Sequence, residues 1–294
     1  MSVVNTDGRN GIHIFVFCCA DYVDMLDDCI RSVEEHVADC IISRNIVSNT
    51  RNINVNGYNL IHDIDFWKKL DPDFTERELY NHNWIKQQIF KLNIDKFVDG
   101  YALIVDAEVR FTHSVKWIEN NAQKIFYSNY WTDYWFSSHE FIKQIANLES
   151  DMRKTFIVEA MIFSTDILKK LRRRIEDTNG LSQIESFKNI IFDIPMTTKS
   201  LPKSNMQMSE YDLYATYILK FYPEKVLLQS TPKPFYSVQH SLTSNSKKSQ
   251  TKWLTFFEQV RGENWPDCDS EVNFSNLPDW IQKECIEVHG YKPN

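Results

Sequence analysis

The stretch Tyr101, Ala102, Leu103, Ile104, Val105, Asp106, Ala107, Glu108 constrains the fold most. Its apolar part is rich in branched side chains and has the length of a buried strand, too short for a typical helix. Two carboxylates follow, one residue apart. In an extended segment, residues i and i+2 point the same way. The spacing therefore predicts Asp106 and Glu108 side by side at the end of a buried strand. Two like charges that close destabilise each other unless a cation lies between them. Hard oxygen ligands at such a place suit Mg²⁺ or Mn²⁺, shared with a phosphate of a substrate. The plainer reading of the same residues is two solvated acids in a strand-to-loop turn.

The chain before this stretch predicts a parallel sheet. Ile12 to Cys18 reads as another buried strand, with a turn over Ala20 to Tyr22. Leu26, Cys29, Ile30, Val33 and Val37 then fall at helical spacing and form an apolar stripe. Ile41 to Val47 and Tyr58 to His62 predict two more strands. Strand, helix and strand in this order imply an α/β fold with crossover helices. Thr75 and Glu78 have the form of a capping box. The helix they open carries Ile85, Ile89 and Leu92, and it leads into the Tyr101 strand.

The second half is less regular. Lys124 to Tyr127 and Phe156 to Ser164 predict strands. The aromatic block holding Tyr130, Trp131, Tyr134 and Trp135 reads either as core or as a platform for sugar rings or bases. Ile167 to Ile175 predicts a helix carrying Lys169, Lys170, Arg172, Arg173 and Arg174, either a solvated charged face or a phosphate site. Asn179 to Gln207 reads as an irregular connection. Ser209 predicts an N-cap, with Asp212 at N3, for a helix from Glu210 to about Phe221. Ser237 to Lys252 has the composition of a mobile loop. Helices over Lys252 to Val260 and about Pro278 to Val288 close the chain.

Composition limits the function classes. The 294 residues are 43% apolar and 14% aromatic, which implies a substantial core. A net charge of −7 argues against wrapping nucleic acid through global charge, though it leaves room for a local basic groove. Six cysteines show no Cys-x-x-Cys spacing, and no apolar run reaches bilayer length, so the expectation is a reduced, cytoplasmic protein without structural zinc.

Four motifs stand in a fixed order: Gln87-Gln88 with Lys91-Leu92; Asp106-Ala107-Glu108; Glu159-Ala160-Met161-Ile162-Phe163; and Ser209-Glu210-Tyr211-Asp212-Leu213-Tyr214. Together they resemble a bacterial and phage branch of the GT-A nucleotide-sugar glycosyltransferases, over roughly residues 12 to 240. The resemblance implies a mixed, mainly parallel sheet flanked by helices. Residues 1–240 would form the domain, with a Rossmann-like nucleotide-sugar half over about 12–110 and an acceptor half over 111–240. Residues 241–294 would add a loop and a C-terminal helical appendage.

The resemblance also implies a UDP-sugar donor and a Mn²⁺ or Mg²⁺ ion held by Asp106 and Glu108, with His240 completing the shell. The second acid of this motif is usually Asp, and here it is Glu108. The cation would stabilise charge growing on the departing diphosphate. Ligands of open α/β sheets lie at the carboxyl ends of the strands, which brings in Cys18, Asp21 and Tyr22 for the nucleoside. Gln88, Lys91 and Arg110 are the further donor-binding candidates. An inverting reaction needs a base for the acceptor hydroxyl, and Glu210 and then Glu159 are the candidates. Two acceptors fit: a bacterial or phage glycan, and 5-hydroxymethylcytosine in phage DNA. The DNA acceptor would draw on Lys169 to Arg174, Lys247, Lys248 and Lys252. The alternative from another class is a non-catalytic nucleotide- or sugar-binding module of the same ancestry.

Overall fold

The structure is a computed structural model that describes residues 11–70, 83–127, 133–151, 154–156, 160–193, 209–230, 235–237, 240–241 and 250–251, with backbone alone at 21, 83–85, 133–137, 190–193, 235–237, 240–241 and 250–251. The Thr75 capping box, Tyr130, Trp131, Glu159, the lysines at 247, 248 and 252, and both C-terminal helices lie outside the described residues.

The first half is a parallel α/β unit. Strand β1 (Ile12–Cys18) leads through a 3-10 turn (Ala20–Tyr22) into helix α1 (Val23–His36), whose stripe of Leu26, Cys29, Ile30 and Val33 is buried. Strands β2 (Ile41–Ser48) and β3 (Asn59–His62), helices α2 (Asp63–Leu70) and α3 (Asn83–Lys91), and strand β4 (Tyr101–Asp106) follow. Strand β1 pairs in parallel with both β2 and β4, and β2 pairs in parallel with β3. Residues Ala102 to Val105 are fully buried, as a central strand covered on both faces requires.

A turn after β4 enters β5 (Val109–Phe111). Strands β6 (Ile118–Glu119) and β7 (Ala122–Tyr127), helix α4 (Asp133–Ala146), strand β8 (Ala160–Ser164) and helix α5 (Thr165–Asn179) come next. Strand β8 adds antiparallel to β4 and completes a five-stranded mixed sheet in the order β3-β2-β1-β4-β8. Gly180 ends α5 at φ 67°, a left-handed conformation that favours glycine.

The expected irregular stretch from Asn179 contains helix α6 (Gln183–Asp193). Ser182 starts it with a reciprocal capping box: Ser182 Oγ accepts from the Glu185 N–H at 3.3 Å, and Glu185 Oε2 accepts from the Ser182 N–H at 3.1 Å. Its Phe187 stacks on Phe141 of α4.

Helix α7 (Glu210–Phe221) opens at Ser209, whose side chain accepts from the Asp212 N–H. Strand β9 (Val226–Ser230), absent from the sequence reading, runs parallel to β7 in a second sheet ordered β6-β7-β9. Strand β10 (Phe235–Ser237) pairs antiparallel with β5, and two short strands, β11 (His240–Ser241) and β12 (Gln250–Thr251), pair within the expected loop. Among the described residues, no helix is long and apolar enough to cross a membrane.

Candidate functional site

Strand order fixes where a ligand can sit. From β1 the chain turns outward to β2 and β3, then returns to the opposite side as β4. This reversal opens a crevice beyond the carboxyl ends of the strands. A cleft of about 410 Å³ lies there, within the usual size range of small-molecule sites. Its floor comes from the ends of β1 (Phe17, Cys18), β2 (Val47, Ser48) and β4 (Asp106), and from Cys19, Asn49 and Glu108 just beyond them. Tyr22, Asp63 and Trp67 form one wall, and Lys86, Gln87 and Phe90 of α3 form another.

Asp106 and Glu108 both line this cleft, as the spacing predicts, but by a different local geometry. Strand β4 ends at Asp106, and Ala107 and Glu108 form a turn. The Ala107 N–H donates to the Phe17 carbonyl at 2.9 Å, so the β1–β4 ladder pins the turn at its middle residue. The two acids therefore flank a fixed backbone point.

Asp106 is held from behind. Gln87 Nε2 donates to its Oδ1 at 3.0 Å, and Lys91 Nζ lies 3.0 Å from Oδ1 and 3.3 Å from Oδ2. Gln87 and Lys91 are four apart on α3 and so share a face. Lys91 is 1% exposed and reaches on to Glu210 Oε1 at 2.9 Å and to the Tyr211 hydroxyl at 3.0 Å. The contact with Glu210 is a buried ion pair. The ammonium also lies 4.6 Å from the centre of the Tyr211 ring. Burial alone would lower the Lys91 pKa, but the Asp106 and Glu210 carboxylates outweigh it and hold the ammonium well above its usual range. Burial pushes the Glu210 carboxyl up against the pull of Lys91.

Helix α7 delivers this support. The fully buried Gln88 accepts from the Glu210 N–H at 3.0 Å, which fixes the first turn of α7 against α3. One turn on, the Tyr214 hydroxyl accepts from the Ser164 N–H at 2.7 Å and donates to Gln123 at 3.0 Å, tying α7 to β8 and β7. Asp212 accepts from the Phe156 N–H at 2.7 Å and from Ser138 at 3.3 Å, and burial pushes its carboxyl up to about 7.

The other predicted residues divide clearly. Cys18 and Tyr22 line the cleft, and burial pushes the Cys18 thiol up to about 12, which leaves it unreactive at neutral pH. Gln88 and Lys91 lie behind the cleft wall instead of facing a ligand, and Gln87 takes the lining position. Arg110 turns to backbone: Nη1 donates to the Val109 carbonyl at 2.9 Å and Nη2 to the Met25 carbonyl at 2.9 Å, fastening β5 to α1. Glu210 is 1% exposed and so offers no oxygen to an incoming hydroxyl. Asp21 lies in the turn after β1 and His240 in β11, described as backbone alone.

The basic run of α5 is largely absorbed by the fold. Arg172 pairs with the buried Asp95 and donates to Asn93 at 2.8 Å, while Arg174 donates to the Ala146 carbonyl at 2.9 Å at the end of α4. Lys169 pairs with Asp99, and Lys170 lies over the Tyr222 ring.

The side chains missed by sequence reasoning are Lys86, Gln87, Ser48, Asn49, Asp63 and Trp67. Gln87 and Gln88 both stand at helical spacing from Lys91, so spacing alone did not choose between them. The others follow only from the strand order, which sets the ends of β2 and β3 across β1 from β4, and from the packing of α2 and α3 around those ends.

Among the described residues, no group of three or more His, Cys, Asp or Glu side chains is arranged to hold a metal ion. A dication here would take Asp106 and Glu108 from the protein and its remaining oxygens from a ligand and water, as Mg²⁺ commonly does. The lining chemistry fits that arrangement: among the described residues the cleft carries Asp63, Asp106 and Glu108 against one lining cation, Lys86. No curated protein matches the chain. A family model matches residues 8–249, most of the length, and the chain belongs to that family, DUF6492, a family of unknown function.

Proposed function

We propose that the chain is a metal-dependent glycosyltransferase of GT-A type, moving a sugar from a nucleoside diphosphate to a hydroxyl of a glycan. The observation that carries this reading is the pair Asp106 and Glu108 in one cleft at the reversal point of the strand order. A diphosphate entering a cleft with three acids and one lysine meets repulsion unless a dication comes with it. The same dication, when bound, stabilises the charge that develops on the leaving diphosphate.

This chain's own residues have simpler tasks. Gln87 orients the Asp106 carboxylate through its hydrogen bond, and Lys91 offsets part of its charge. Tyr22 offers an apolar wall for a ring, backed by the buried Trp67, and Lys86 offers a charge to phosphate. The motif resemblance supports a UDP-sugar as the donor. The glycan is preferred over DNA as acceptor because Lys169, Arg172 and Arg174 of α5 are engaged within the fold.

Hydrolysis or transfer of a panel of nucleotide-sugars, with Mn²⁺ and with chelator, tests the reading. Turnover in Mn²⁺ that falls by about 10²–10³ in Asp106→Asn is expected for loss of a group that stabilises the transition state. Metal-independent turnover, equal in parent and variant, contradicts it.

A further inference from the structure

A buried carboxylate 2.9 Å from an ammonium that itself touches Asp106 has an effect beyond packing. Counted formally, Lys91 is one positive charge between two negative ones, Asp106 and Glu210. Remove Glu210, and Lys91 neutralises Asp106 alone. Remove Lys91, and the two acids face each other. The pair sits 1–2% exposed, where solvent screens such changes weakly.

Resting on the metal-dependent reading above, we propose that Glu210 and Lys91 are positioning residues that set the cation affinity of the cleft through Asp106. Glu210 shares the ammonium and so leaves Asp106 with the negative charge a dication needs. The opening of α7, the Ser209 to Tyr214 segment, thus has a role in the cleft without touching a ligand. Tyr211 fixes the third contact of the ammonium and keeps it between the two acids.

The charge account makes a signed prediction that a structural role does not. Mn²⁺ affinity is measured on the full chain, with UDP present and absent, together with the thermal midpoint of each variant in metal-free buffer. Glu210→Gln is expected to weaken Mn²⁺ binding by about tenfold or more. Lys91→Met is expected to bind Mn²⁺ no more weakly than the parent even though its thermal midpoint falls, because a buried charge pair has been broken. The double variant Lys91→Met/Glu210→Gln has the parent's formal charge at Asp106. It is expected to return to within a few-fold of parental affinity, and it tests the account even if Lys91→Met alone does not fold.

If affinity and thermal midpoint fall together in every variant, with the double variant the worst, the relay is overturned and the pair is structural. If the parent binds no Mn²⁺ with or without UDP, and Asp106→Asn behaves as the parent does, the metal-dependent reading itself fails and takes the relay with it.

Discussion

Asp212 shows how much one buried side chain can set. It is 2% exposed, and its carboxyl is raised to about 7 by burial, against the hydrogen bonds from Phe156 and Ser138. An unfolded aspartate titrates near 4. The folded state therefore holds this proton more tightly than the unfolded one. The stability this contributes is fully present below about pH 4 and is lost as pH rises through about 7. Asp212→Asn keeps the shape and the acceptor for the Phe156 N–H without the ionisation. Its stability relative to the parent is expected to improve by an amount on the order of a few kcal/mol between pH 4 and 8. Paired urea melts across that range check this; parallel pH profiles would remove the assignment. Asp212 was legible in the sequence as the third residue of a helix opened by Ser209. Its second role, bridging to Ser138 and Phe156 more than fifty residues away, was not, because local spacing carries no information on which loop docks at a helix start.

Helices carry the next scale, and α5 is the instructive one. Five basic residues in six positions suggest a phosphate-binding face, yet Arg172 is 11% exposed and faces Asp95 at 2%. Arg172→Ala is expected to cost roughly 3 kcal/mol, because it leaves a buried carboxylate without its partner. The exposed Arg173→Ala is expected to stay within about 0.5 kcal/mol. Thermal melts of the two variants distinguish a structural run from a binding face, for which the two changes would cost the fold equally little and a polyanion ligand equally much. The elements easiest to foresee were those with clear periodicity: β1, α1, β4 and α7. Helix α6 was missed because its surroundings are polar, although Ser182 and Glu185 announce it. Strand β9 was missed because parallel pairing with β7, a hundred residues earlier, leaves no local mark.

The whole molecule adds what no element has alone. Asp106 lies on β4, its supports Gln87 and Lys91 on α3, and the counter-charge Glu210 on α7. Their convergence depends on β1 standing between β2 and β4. The sequence supplied the acids and the motif order. It did not distinguish Gln87 from Gln88 as the cleft residue, or show Glu210 to be buried, because both depend on how α3 and α7 pack. The DUF6492 match covers both helices and the cleft, so the arrangement belongs to the family-matched region as a unit.

The central claim is that this cleft takes a nucleoside diphosphate together with a dication. Thermal denaturation of the full chain against a panel of nucleoside diphosphates, each with Mn²⁺ and with chelator, tests it most directly. At about a hundred times Kd, a ligand specific to the native state adds roughly 2.7 kcal/mol, which corresponds to a rise in Tm of roughly 5 °C for a chain of this size. The account predicts such a rise for at least one nucleotide, only with Mn²⁺, and its loss in Asp106→Asn. No rise with any nucleotide, or an equal rise in chelator and in Asp106→Asn, would contradict it.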